Sequence, residues 1–155
     1  MGIEPLVKAT EPALPVPGRD WQQLWFAALQ LPWSSLAIVP AQPNLSALAA
    51  ARALVAVGRL YHQCPVHLIE AEATEPAATG FVISSVKNRV AAGERVVMAV
   101  DSPLSNPVAI PIARAADAAL LLVPLGRTRL MLARHTIDSV GREQFIGSIA
   151  VESQH

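Results

Sequence analysis

A loop between a predicted strand and a predicted helix, residues 40–46, lies where many nucleotide-binding proteins hold phosphate. Asn44 and Ser46 are its side chains that could cap a helix or contact an anion. A phosphate loop needs glycine where the backbone approaches phosphate or takes positive φ, and a lysine that reaches the terminal phosphates. This loop has no glycine, and the only lysines, Lys8 and Lys87, are distant in sequence. The loop therefore lies where a phosphate loop would lie, but it lacks the glycine and the lysine that bind phosphate.

The other clusters of reactive residue types predict no catalytic or metal site. His62, Cys64 and His67 lie within six residues, but no fourth ligand is evident, and Pro65 before a strand explains the spacing. His135 lies inside the last predicted helix without an obvious catalytic nucleophile or acid partner and is interpreted as a surface or core histidine. A Gly-x-Ser-x-Gly elbow is absent, so the sequence offers no case for acyl transfer.

Composition indicates one globular domain. The chain has 155 residues, 52% of them hydrophobic and 15% charged, which excludes disorder of the whole chain. Its formal net charge is zero, so the basic surface of a nucleic-acid-binding protein is not expected. No apolar run reaches about 18 residues, and the N-terminus lacks the pattern of a signal peptide. We expect a cytoplasmic protein that is not itself transmembrane, and the lone Cys64 agrees with that compartment.

Apolar strand-like runs alternate with helical patterns along most of the chain. This alternation predicts βαβ crossovers and a three-layer α/β/α domain around a five-stranded parallel sheet. We expect a proline-rich leader over 1–19, a single domain over 20–151 and a tail over 152–155. The predicted strands are 36–40, 66–72, 95–101, 118–124 and 145–151, and the predicted helices are 20–31, 46–62, 82–93, 106–117 and 128–140.

The first predicted helix, residues 20–31, carries one strongly apolar stripe. Trp21, Leu24 and Trp25 recur in it at three- and four-residue spacing. Such a stripe is most often packed on the domain core. The alternative is a contact with a protein partner or a second copy of the chain, because tryptophan is favoured at interfaces.

Four later segments resemble, in order, the motifs of one protein family. Residues 66–72, VHLIEAE, resemble its acidic strand end, and residues 97–103, VMAVDSP, its second acidic strand followed by a hydroxyl residue and proline. Residues 115–128, AADAALLLVPLGRT, are similar to its next strand and glycine-x-threonine helix start, and residues 141–151, GREQFIGSIAV, to its last strand. Over residues 36–151 the chain resembles the CpsD/CapB-type capsular exopolysaccharide tyrosine kinases, which belong to the MinD-like deviant P-loop ATPases.

The resemblance implies a P-loop NTPase-like fold with strand order 2-3-1-4-5, counted over the five predicted strands. It also implies that a vestigial nucleotide edge contains Asn44, Ser46, Glu70 and Asp101, because ligands of such sheets bind at the carboxyl ends of the strands. In the family, this edge holds Mg-ATP.

The departures from the family pattern concern its chemistry. Glu70 and Glu72 replace the family's aspartates, and the loop glycines and lysine are missing. Val151 stands at about the position of an asparagine that helps to hold the base, and Tyr61 is the only tyrosine, whereas the family has a C-terminal tyrosine cluster. Ser46 can also be interpreted as a plain helix cap. Asp101, at the end of the 95–101 strand, can be interpreted as a cap of the turn over residues 102–105.

These departures favour a non-catalytic member of the fold without a cofactor. We expect a regulatory or scaffolding protein in exopolysaccharide biosynthesis or export, with a protein partner such as a membrane polysaccharide co-polymerase or synthase component. Recruitment to the inner face of the membrane through that partner, and homo-oligomers, are compatible with this prediction. No nucleic-acid partner is expected.

Two alternatives stay open. One is an ATP-binding kinase-like or ATPase-like enzyme in which Arg52, Arg127 or an arginine of a neighbouring subunit replaces the lysine. The other is a MinD/ParA-like positioning protein bound to a membrane through its first helix, although residues 20–31 contain no lysine or arginine to meet anionic lipid.

Overall fold

The computed structural model describes residues 5–9, 18–61, 64–126 and 129–152. Six strands and five α-helices alternate in these residues, with short 3-10 turns at Pro76–Ala78 and Arg142–Gln144. The strands are β1 Pro5–Ala9, β2 Ser35–Pro40, β3 Val66–Glu70, β4 Arg95–Ala99, β5 Ala118–Leu125 and β6 Phe145–Glu152. The helices are α1 Arg19–Ala28, α2 Leu48–Tyr61, α3 Thr79–Ala91, α4 Ala109–Ala115 and α5 Leu130–Val140.

All six strands pair in parallel in one sheet, in the order β1-β6-β5-β2-β4-β3. Without β1, this order corresponds to the predicted 2-3-1-4-5, so the predicted fold class and strand order are confirmed. No strand was predicted before residue 20, and β1 makes the described sheet six-stranded rather than five-stranded. β1 pairs with β6 from Pro5 opposite Ser148 to Ala9 opposite Val151, and proline is tolerated at the first residue of an edge strand.

Helices cover both faces of the sheet, which is why the central strand β2 is buried along its whole length. Side chains alternate along the strand, so Leu36 and Ile38 face one layer while Ala37 and Val39 face the other. The first layer is formed by α1 and α2, and the second by α3, α4 and α5. No helix of the described part of the chain is long and apolar enough to cross a bilayer.

The tryptophan stripe of α1 belongs to the core of the domain. Trp21, Leu24 and Trp25 are fully buried or nearly so, and the Trp25 ring meets Trp33 edge to face at 5.7 Å between centroids. The ring of Trp25 also lies over Gly58 of α2, where an added Cβ would be 2.7 Å from it. The prediction of core packing is confirmed. The alternative partner surface of these three side chains is contradicted, because the folded chain leaves almost none of their area accessible.

Candidate functional site

Three loops meet at the carboxyl edge of the sheet, because β2, β4 and β3 are parallel neighbours and their ends point the same way. They are residues 41–47 after β2, 71–75 after β3 and 100–108 after β4. Hydrogen bonds join the first loop to the second and the second to the third. The predicted site residues Asn44, Ser46 and Asp101 lie on these loops, and Glu70 ends β3 just before the second loop.

The 41–47 loop makes its sharp turn without glycine. Asn44 has φ of 66°, in the left-handed region that asparagine tolerates better than most residues. The start of the loop is fixed by the Ala41 N–H, which donates to the carbonyl of Leu122 at 2.9 Å. The buried Thr136 hydroxyl of α5 donates to the carbonyl of Ala41 at 3.0 Å. Asn44 thus supplies backbone conformation where a phosphate loop has glycine.

Glu72 occupies the amino end of α2. The Ser46 hydroxyl donates to the Glu72 carboxylate at 2.9 Å from Oε2, and the Ala47 N–H donates to the same oxygen at 3.3 Å. The Ser46 oxygen in turn accepts from the Leu48 N–H at 3.2 Å, so the interpretation of Ser46 as a helix cap is confirmed. Anions bind at helix N-termini through such free N–H groups. An internal carboxylate holds this position here.

Glu72 was not among the predicted site residues, which instead included Glu70. The Glu70 carboxylate pairs with Arg52 of α2, with 3.0 Å between Oε1 and Nη2. Both side chains are more than half exposed, at 54% and 61%. One sequence signal could have indicated Glu72 as a site residue: it lies two residues beyond Glu70, in the loop that follows the end of β3.

Asp101 and Asn106 fasten the second loop to the third. Asp101 Oδ2 accepts from the Ala73 N–H at 2.7 Å and from Asn106 Nδ2 at 2.9 Å, and Asn106 Nδ2 also reaches the carbonyl of Thr74 at 3.1 Å. Ala73 has φ of 58°, a strained value for alanine that this bond helps to hold. The alternative in which Asp101 caps the following turn is wrong, because the Ser102 hydroxyl accepts the Leu104 N–H there.

The arrangement does not fit Mg-ATP. A triphosphate at the α2 N-terminus would meet the Glu72 carboxylate, and Arg52, a candidate replacement for the lysine, is paired with Glu70. Asp101 already accepts two internal hydrogen bonds. Val151, at the predicted place of a base-holding asparagine, is buried in β6. Glu72 and Asp101 instead hold the three loops to one another.

The predictions for the glycine-x-threonine segment and for the histidine-cysteine cluster include residues outside the described ranges. Arg127 and Thr128 of the glycine-x-threonine segment lie outside them, and so does His62 of the histidine-cysteine cluster. His67 lies against Arg89 and Glu94, with 3.4 Å between its Nε2 and the Glu94 carboxylate. No group of three potential metal-binding side chains occurs within residues 5–9, 18–61, 64–126 and 129–152.

No protein-family profile matches the chain, and no curated protein matches it at a significant level.

Proposed function

We propose that this chain is a non-catalytic, P-loop-kinase-like protein that regulates or scaffolds exopolysaccharide biosynthesis or export through protein–protein contacts. The fold and the loss of phosphate-binding groups support the non-catalytic part. The pathway rests on the resemblance of residues 36–151 to the exopolysaccharide tyrosine kinases. The partner in this proposal is a component of a membrane polysaccharide co-polymerase or synthase.

The observation that carries the non-catalytic proposal is the Glu72 carboxylate on the amino end of α2. A nucleotide would have to displace this carboxylate and would find no lysine in the loop. A charge-assisted hydrogen bond contributes about 1.5–3 kcal/mol, and each 1.4 kcal/mol changes affinity about tenfold. The loss of two such bonds turns micromolar binding into binding of about millimolar strength.

An exposed apolar cluster at the outer side of α1 and α2 supports the protein–protein part. Phe26 and Tyr61 are both about half exposed and their rings lie 5.0 Å apart between centroids. Leu60 beside Tyr61 in sequence is also exposed, and the Tyr61 hydroxyl donates to Gln22 Oε1 at 3.3 Å. Aromatic residues are enriched in protein interfaces. This cluster replaces the buried tryptophans as the candidate partner contact of the first helix.

Calorimetric titration of the chain with millimolar Mg-ATP tests the non-catalytic proposal. We expect no saturable heat from the wild-type chain. Saturable binding that Asp101→Ala abolishes would instead support the ATP-binding alternative. A Glu75→Ala variant is the matched control, because it removes an exposed carboxylate from the 71–75 loop at the same edge and leaves the Asp101 and Glu70 contacts in place.

Affinity capture from the native cell tests the pathway. The wild-type chain should recover polysaccharide synthesis or export proteins, and a Phe26→Ser/Tyr61→Ser variant should recover less of them. Deletion of the gene should alter secreted polysaccharide. If the chain recovers no such protein and deletion leaves the polysaccharide unchanged, the pathway assignment is wrong, while the non-catalytic proposal is judged by the titration alone.

A further inference from the structure

The first turns of α5 present an exposed patch that is both apolar and basic, formed by Arg129, Leu130, Met131 and Arg134 and called here the α5 patch. The side chain of Met131 is 85% exposed and that of Leu130 is 77% exposed. Arg129 and Arg134 are exposed beside them, and Arg134 follows Leu130 by one helical turn. The large apolar side chains of Leu130 and Met131 are thus exposed to solvent, with an arginine on either side of them in sequence.

Charge is strongly one-sided around this patch although the whole chain is neutral. Residues 126–137 contain three arginines and one histidine but no aspartate or glutamate. Neither Arg129 nor Arg134 forms an ion pair with another described residue, and Asp138, the next acid along the helix, lies 3.9 Å from Arg142. The patch therefore presents uncompensated positive charge.

The packing of α5 does not account for these residues. The helix is anchored by Ala133, Thr136 and Val140, which are buried against the sheet. Leu130 and Met131 bury little area, and cations at the start of a helix oppose the helix dipole. Acidic or hydroxyl side chains would serve the stability of this helix better. The composition of the α5 patch is consequently unexplained by the fold alone.

We propose that the α5 patch docks on an anionic phospholipid surface, with Arg129 and Arg134 at the headgroups and Leu130 and Met131 inserted at the boundary with the acyl chains. Basic residues attract anionic lipid electrostatically, and protruding leucine or methionine side chains bury apolar area in the interface. A nucleic acid would gain nothing from the two apolar side chains. The charge complementarity and the protruding shape favour a lipid surface over an acidic protein.

This inference goes beyond the proposed function and does not depend on it. It also differs from docking through the first helix, α1, whose one cation is Arg19 at its first residue. The attachment site is instead on the opposite face of the sheet, where α3, α4 and α5 pack.

Vesicle co-sedimentation of the full chain tests the proposal. We expect the wild-type chain to sediment with vesicles of equal parts phosphatidylcholine and phosphatidylglycerol, and not with vesicles of phosphatidylcholine alone. Binding should weaken as salt rises. Arg129→Gln/Arg134→Gln should reduce partitioning about 25-fold, from about fivefold for each arginine. Leu130→Ser/Met131→Ser should reduce it about tenfold or more, because both insertions are lost.

A matched control changes the same kinds of residue on another helix of the same face. Phe81 is 77% exposed and Lys87 is exposed, so Phe81→Ser/Lys87→Gln on α3 should leave vesicle binding unchanged. Circular dichroism melting should show that all variants fold. The proposal is wrong if the wild-type chain ignores anionic vesicles, if the control loses binding equally, or if the patch instead drives self-association without vesicles.

Discussion

At the scale of single residues, the carboxyl edge of the sheet is filled by the protein's own carboxylates. Glu72 accepts from the amino end of α2, and Asp101 accepts from the Ala73 N–H and the Asn106 amide. Each carboxylate satisfies backbone donors that a strand-to-helix turn leaves without partners. Glu70, one of the predicted site residues, lies outside this network and pairs with Arg52. Glu72 and Asp101 therefore stabilise the loops.

Replacement of Glu72 should destabilise the chain more than replacement of Glu70. Glu72→Ala removes the acceptor for Ala47 N–H and Ser46, and we expect a loss of about 1–2 kcal/mol in the free energy of unfolding. Glu70→Ala removes a solvent-exposed ion pair and should cost about 0–1 kcal/mol. Urea denaturation measures both values. Equal losses would contradict a capping role for Glu72.

Asp101 and Asn106 should be energetically coupled. Each single alanine substitution should lower the free energy of unfolding by about 1–3 kcal/mol, because each leaves polar partners unsatisfied. The double variant should lose less than the sum of the two, by about 0.5–3 kcal/mol, since the residues share one network. A double-mutant cycle in urea gives this coupling. Strict additivity would show that the Asp101–Asn106 contact contributes nothing.

At the scale of elements, the packing of α1 on α2 depends on a glycine in the middle of a helix. Gly58 leaves the space that the Trp25 ring fills, so the tryptophan is buried directly against the α2 backbone. The intrinsic preference of a helix is for alanine over glycine, but here steric fit decides. The stripe of α1 and the glycine of α2 therefore form one contact.

Gly58→Ala should destabilise the chain although alanine is the better helix former. Its Cβ would lie 2.7 Å from the Trp25 ring, and we expect a net loss of about 1–3 kcal/mol. The matched control is Gly80→Ala in α3, where an added Cβ has nothing within 4 Å and should stabilise by up to about 1 kcal/mol. Thermal and urea unfolding distinguish the two. A stabilised Gly58→Ala variant would refute the steric argument.

At the scale of the whole molecule, a single sheet lies between two layers of helices, and the centre of the sheet is its most deeply buried part. β2 has β4 and β5 as neighbours and is covered on both faces. β3 forms one edge, where Arg59 Nε donates to the outward carbonyl of Val66 at 3.1 Å. Covering an edge with a charged side chain is a common way to discourage pairing with other chains.

Amide hydrogen exchange should follow this order of burial. Amides of Leu36–Val39 should exchange only through global unfolding, because both sides of β2 are paired and both faces are covered. Amides of Leu68 and Glu70 in the edge strand should exchange faster by local opening. Exchange followed by mass spectrometry or NMR measures the difference. Equal protection of β2 and β3 would indicate that the β3 edge is covered by another chain.

Much of the fold could be predicted from the sequence because its signals are local. Short apolar runs such as 36–40 and 118–124, separated by helical patterns, predicted the parallel sheet, and the resemblance implied its order. The edge strand β1 was not predicted, since its pairing with β6 joins residues more than a hundred positions apart. The site was predicted only to the level of its loops, because rotamers and contacts decided that Glu72, rather than Glu70, reaches α2.

The class of the fold and the lack of a phosphate loop's glycines and lysine can be recognised from the amino-acid sequence alone. Apolar periodicity and residue identity are properties of the chain itself and do not depend on how it folds. By contrast, the tertiary fold determines which side chains are accessible to solvent and which contact other parts of the chain. It buried Trp21 and Trp25, placed the Glu72 carboxylate on α2, and left Leu130 in water, because burial and hydrogen bonding depend on residues brought together from distant parts of the chain.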